Sequence, residues 1–97
     1  MPERERPRKA AALRYQDGDA APRVVASGRG EVARRIVEIA EEAGVPVRRD
    51  PALAEALARL ELDAEIPEAL YAAVAEALVW AYRLDASARP PEARRPR

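Results

Sequence analysis

The stretch "RVVASGRGEVARRIVEIAEEAGVPV" (Arg23–Val47) passes from a β-branched run through Ser-Gly-Arg-Gly into a helical pattern, then out into a second β-branched run. Such punctuation suits a phosphate-binding loop or a plain strand-to-helix corner, and spacing separates the two. A Walker loop needs GxxxxGK[ST] and a dinucleotide fold needs GxGxxG, whereas Gly30 is followed here by Glu31 and Val32. A carboxylate in the first helical turn repels a phosphate and complements the helix dipole instead. The glycines are therefore read as turn residues. From Glu31 onward Val32, Ile36, Ile39, Ala40 and Ala43 recur at three and four, predicting a core-facing stripe with Arg34, Arg35, Glu38, Glu41 and Glu42 outside it. Gly44 supplies a left-handed C-terminal residue and Pro46 forbids continuation. Both flanking runs read as strands, so Val24–Val47 is expected to be a strand–helix–strand unit with parallel strands and a right-handed crossover.

Working outward, "KAAALRY" (Lys9–Tyr15) predicts an earlier strand, and "QDGDAAP" after it carries the turn signals Asp17-Gly18 and Pro22. A connector of seven residues makes the two strands an antiparallel hairpin. Downstream, Asp50-Pro51 pairs a capping carboxylate with proline at the first helical position, and Ala52, Leu53, Ala56, Leu57 and Leu60 build the apolar face of a short helix. After the acidic connection "ELDAE", Ile66-Pro67 opens a closing helix. Leu70, Val74, Leu78 and Ala81 line one side of it, and Tyr71, Trp80, Tyr82 and Leu84 widen the apolar surface. The fold expected is α/β, a small mixed sheet of about three strands packed with three main helices in the order β-β-α-β-α-α.

A chain of 97 residues suffices for one small domain. Its 17 basic and 17 acidic residues are unevenly placed. Residues 1–9 and 86–97 are rich in Pro and Arg with little to bury, so both are expected to be disordered tails around a net-acidic domain spanning 10–85. No run approaches a membrane span or a secretory signal, which points to a soluble intracellular protein. Cys, His, Asn, Thr and Phe are all absent. Disulfides, zinc ligation by thiolate or imidazole, and the common nucleophile–base pairs are thereby excluded, leaving carboxylates and Tyr15, Tyr71 and Tyr82. No cofactor, metal or catalytic residue is expected. Asp17 and Asp19 flank Gly18 but fall short of the ligand set of a calcium loop. Arg34-Arg35 and Arg48-Arg49 lie on an acidic body without interleaved aromatics, so they read as solvated faces rather than a nucleic-acid site. The alternative is a small nucleic-acid-binding or general protein-interaction domain using the Arg-rich tails, with an affinity that falls steeply with salt.

Taken together, "ALRYQDGDAAPRVVASGRGEVARRIVEIAEEAGVPV", "DPALAEAL" and "IPEALYAAVAEALVWAYRL" resemble the cytoplasmic domain of the FlhB/YscU family, the export-switch proteins of flagellar and related type III secretion systems. The resemblance runs from Ala10 to Leu84. It rests on Leu13-Arg14-Tyr15, on Pro22 to Gly28, on Val45-Pro46, on Pro51 to Leu57, and most specifically on Ile66 to Trp80, where Tyr71, Glu76 and Trp80 fall in register. In that family a membrane-anchored chain cuts itself between Asn and Pro of an Asn-Pro-Thr-His loop. Counted back from Tyr15, the loop falls at Glu5-Arg6-Pro7-Arg8, where the asparagine is missing. Family cleavage resembles succinimide formation by an Asn amide nitrogen, so the resemblance implies a chain that does not cut itself.

What the resemblance implies is a non-enzymatic binding module like the released cytoplasmic fragment, assisting or substituting for it in protein export and substrate-specificity switching. Its implied partners are proteins of the export apparatus, among them a membrane-anchored FlhB-type half or the export gate, together with export substrates. It is expected in the cytoplasm, with the export apparatus as its route to the cytoplasmic face of the membrane, without inserting and without nucleic acid. The strand that precedes the loop in the parent fold is absent, leaving an edge strand at Ala10, Ala12, Arg14 and Tyr15 as the candidate partner-binding surface.

Overall fold

Strands β1 (Lys9–Arg14) and β2 (Arg23–Arg29) form the antiparallel hairpin that the short connector predicts. The structure, a computed structural model, describes residues 8–88. The expected tails lie outside the described residues except for Arg8 and Lys9 at one end and 86–88 at the other. Lys9 stands opposite Arg29, Ala10 opposite Gly28 and Ala12 opposite Ala26, after which the register slips so that Leu13 faces Val24. Val25 is the extra residue of this bulge. It is exposed, whereas Val24 is fully buried.

The pleat sorts the side chains of β1 onto two faces. Ala11 and Leu13 pack on the main core of Val24, Leu53, Leu57, Ile66 and Val74. Ala10 and Ala12, with Ala26 and Gly28 opposite them, make a second face of small residues, and helix α1 (Glu31–Glu42) packs against both strands. That smallness corrects the expected stripe of α1. Its buried residue is Ala33, while Val32, Ile39 and Ala43 are exposed. A helix lying this close to a floor of alanine and glycine has room for a methyl group under it, so it turns Ala33 inward rather than Val32. A Cβ on Gly28 would collide with the Val32 side chain, which shows how tight the approach is.

Both ends of α1 match the sequence signals. Gly30 turns the corner at φ 60° and ψ −128°, a conformation that glycine alone adopts without strain. At the other end Gly44 sits at φ 78°; its N–H donates to the Glu41 carbonyl (3.2 Å) and that of Val45 to the Ala40 carbonyl (2.8 Å). This is the Schellman arrangement.

The chain then departs from expectation, because Val45–Val47 is not a strand and the sheet has two strands among the described residues. The donors explain this. The Val45 N–H is engaged in closing α1, Pro46 has none, and Val47, Arg48 and Arg49 pair with no strand among the described residues. The observed order is β-β-α-α-α, within the expected α/β class.

Helix α2 (Pro51–Ala58) starts as its sequence predicts, with Asp50 Oδ1 accepting the Leu53 N–H (3.2 Å) and Pro51 in the first position. It buries Leu53 and Leu57. Ile66 is buried but precedes the closing helix; a 3-10 turn (Glu68–Leu70) leads into α3 (Tyr71–Ala88). That helix runs past the expected boundary at residue 85, since nothing opposes helix until Arg89, whose successor Pro90 disfavours it. Val74, with Leu70, Ala73, Ala77 and Leu78, brings α3 onto the core, so α2 and α3 cover one face of the hairpin and α1 the other.

Candidate functional site

The candidate site is the edge of β1 that does not face β2. The Gly30 N–H donates to the Arg8 carbonyl at 3.0 Å, which fixes the parity of the ladder. Pairs alternate in an antiparallel ladder, so Ala10 and Ala12 turn their main-chain groups toward β2 while Lys9 and Ala11 turn theirs outward. No other backbone hydrogen bond reaches that outer edge among the described residues. Of the residues singled out from sequence, Ala10 is buried, Ala12 half-buried, Arg14 exposed at the end of the strand, and Tyr15 beyond it and exposed. Lys9 and Ala11 were missed because their parity is set by a contact between residues 8 and 30, which no local pattern encodes. Of the degenerate loop, Glu5, Arg6 and Pro7 lie outside the described residues, and Arg8 holds the corner through its carbonyl.

Lys9, on the outer edge, is ion-paired, and the segment before α2 has ionic and aromatic contacts of its own. Lys9 Nζ lies 3.5 Å from Glu55 of α2. Arg48 donates to the Glu76 carbonyl (3.3 Å), approaches the Glu76 carboxylate (3.7 Å) and sits 6.0 Å from the centre of the Trp80 ring. The segment before α2 is thus tied to α3.

The other motifs resolve as structural. The Gly30 N–H that a phosphate would need is bonded to Arg8. Asp19 Oδ2 accepts the Gln16 N–H at 2.9 Å and shapes the hairpin turn. No group of three or more potential metal ligands lies together among the described residues. Arg34 donates to Glu31 (2.9 Å) and to Glu38, and these carboxylates, Glu31 foremost, push its pKa up. Arg35 also reaches Glu38 (3.2 Å). These guanidinium groups are engaged within the fold rather than offered to phosphates. Among the described residues no helix is long and apolar enough to cross a membrane.

The fold defines a class: a small α/β module with one open strand edge and with no group of potential metal ligands among the described residues, shaped like the C-terminal cytoplasmic domains of type III export proteins. The chain belongs to the FlhB HrpN YscU SpaS family, whose model matches residues 7–81. It is 48% identical to YlqH of Bacillus subtilis over 83 residues, covering 84% of this chain and 89% of that one. It is 51% identical to the flagellar biosynthetic protein FlhB of Escherichia coli over 75 residues, 75% of this chain but only 20% of that one. Its fold matches the cytoplasmic domain of FlhB from Shewanella putrefaciens with a TM-score of 0.75 at 37% identity, covering 79% of this chain and 64% of that one. The chain therefore spans most of the Bacillus relative and about a fifth of the flagellar FlhB chain.

Proposed function

We propose that this domain is a non-enzymatic binding module of flagellar or related type III export, acting beside or in place of the switch domain of an FlhB-type protein at the cytoplasmic face of the membrane. The observation that carries the reading is the outward edge of β1, with Lys9 and Ala11 directing main-chain groups away from β2, on a domain of export-switch fold. An edge of this kind takes up an extended segment by strand addition. The partner is the export apparatus, through the cytoplasmic linker of a membrane-anchored FlhB-type half. Self-cleavage does not enter, since a chain without asparagine has no carboxamide to form the succinimide.

The test is co-purification of the protein with an FlhB-type chain truncated where the matched stretch begins. Stable association supports the reading. No association, together with no binding of the linker peptide at high micromolar concentration, sinks it. The intact mass of the purified protein should stay constant on storage; scission near residue 6 would contradict the chemistry. The nucleic-acid alternative would appear as salt-sensitive binding to DNA or RNA.

A further inference from the structure

Helix α1 carries an apolar stripe that the domain leaves largely uncovered. Val32, Ile36, Ile39 and Ala43 recur at the four–three–four spacing of a coiled-coil seam. At about 100° per residue, that seam lies roughly a quarter turn around the helix from Ala33, which is fully buried. Val32 is 55% and Ile39 49% exposed, Ala43 is exposed and Ile36 half-buried. A lone exposed valine is ordinary, whereas a contiguous apolar row rimmed by charges marks an association surface. The rim charges here are not used up within the chain. Among the described residues Arg35 reaches only Glu38 (3.2 Å), a carboxylate it shares with Arg34. Glu42, seven residues on from Arg35 along the same rim, has no ion-pair partner among the described residues.

We infer that a second copy of this chain covers the seam, with the two α1 helices antiparallel about a two-fold axis. In that arrangement Ile36 packs against Ile39 of the partner subunit and Val32 against Ala43 of the partner subunit, and symmetry makes each layer twice. Arg35 then meets Glu42 of the partner subunit, and Glu42 meets the partner's Arg35. A parallel pair would set Arg35 against Ala40 of the partner subunit instead, so the rim charges select the antiparallel sense. The opposite rim is Ala33 and Ala40, whose small side chains do not hold two helices apart. The chain's own ends offer no apolar run as a cover. Met1–Pro7 contains Glu3, Arg4, Glu5 and Arg6 with two prolines, and residues 89–97 contain four arginines, a glutamate and three prolines. A helix of 12 residues spans about 18 Å, so the interface is smaller than the standard size and the dimer is a weak, exchanging one. The inference goes beyond the strand-acceptor reading and is independent of it.

The experiment is sedimentation equilibrium of the whole protein from about 10 µM to about 1 mM at low ionic strength, beside the variants Ile39→Glu, Arg35→Glu, Glu42→Arg and the double exchange Arg35→Glu with Glu42→Arg. The three positions are exposed, so the variants keep the fold, and unchanged far-UV circular dichroism verifies it. The parent protein should move from monomer toward dimer mass across the range, and Ile39→Glu should remain a monomer. Each single reversal sets like charges against each other at both symmetric contacts and should weaken association about three- to tenfold. The double exchange re-forms both contacts with their signs swapped and should restore association to within about twofold of the parent. That rescue is the readout that separates a specific antiparallel seam from general stickiness. A protein that is monomeric throughout, a dimer that Ile39→Glu leaves intact, or single reversals that the double exchange does not repair would each overturn the inference. None of these outcomes bears on the proposed function, which stands or falls on binding of the FlhB-type linker.

Discussion

Two extended connectors can be compared within this domain, Val45–Asp50 between α1 and α2 and Asp63–Ile66 between α2 and the 3-10 turn. Only the second is stitched to the sheet. The Val24 N–H donates to the Ala64 carbonyl (3.3 Å), the Asp63 N–H to the Val24 carbonyl, and the Ile66 N–H to the Pro22 carbonyl (3.1 Å), while Arg23 and Glu65 form an isolated bridge. The Arg23 guanidinium adds bonds to the Asp63 carbonyl (2.7 Å) and the Glu65 carboxylate (3.3 Å). Residue preference ranks the two the other way, since Val-Pro-Val has two β-branched residues in three and Asp-Ala-Glu-Ile one in four. An extended segment joins a sheet when an edge with free donors faces it. The start of β2 bonds to Asp63–Ile66, whereas no main-chain hydrogen bond reaches Val47–Arg49 among the described residues.

Three substitutions sharpen or break this contrast. Ile66→Ala removes the buried anchor of the stitched connector, 2% exposed, and should lower stability by about 2–4 kcal/mol while freeing the Val24 amide to exchange. A shift of the urea midpoint too small to measure would mean that the stitching is incidental. Gly44→Ala forces a side chain into φ 78°, where no atom lies within 4 Å of the added Cβ. Its cost is conformational alone, about 1–2 kcal/mol, and Gly44→Asn should recover part of it. Val47→Ala, on the unstitched connector, should change the stability of the isolated protein by less than about 0.5 kcal/mol. A larger loss would show that this segment is already paired.

Most of the architecture was legible from residues that act locally. Gly30, Gly44, Asp50 and Pro51 announce helix ends because a cap needs one residue in one conformation, and the seven-residue connector implies the hairpin. The FlhB-like stretch Ile66–Trp80 pointed to the family. What could not be read depends on distant surfaces. Two overlapping stripes of α1, the expected one through Val32, Ile36, Ile39, Ala40 and Ala43 and the covered one through Ala33, Ile36, Val37 and Ala40, both fit helical spacing. The choice between them was made by the small residues of β1 and β2. The edge residues Lys9 and Ala11 were hidden for a similar reason, since the outward parity follows from the bond between Arg8 and Gly30. The third strand failed because a β-branched run specifies a strand's preference and not its partner.

That same Arg8–Gly30 bond sets a point of exit. Arg8 is held at the corner where β2 becomes α1 by a 3.0 Å contact to the main chain, so any polypeptide joined ahead of it starts from there. A tether, tag or fluorophore attached upstream is therefore oriented from a defined corner of the domain, and fusions meant to leave the β1 edge accessible have a fixed geometry from which to plan their linkers.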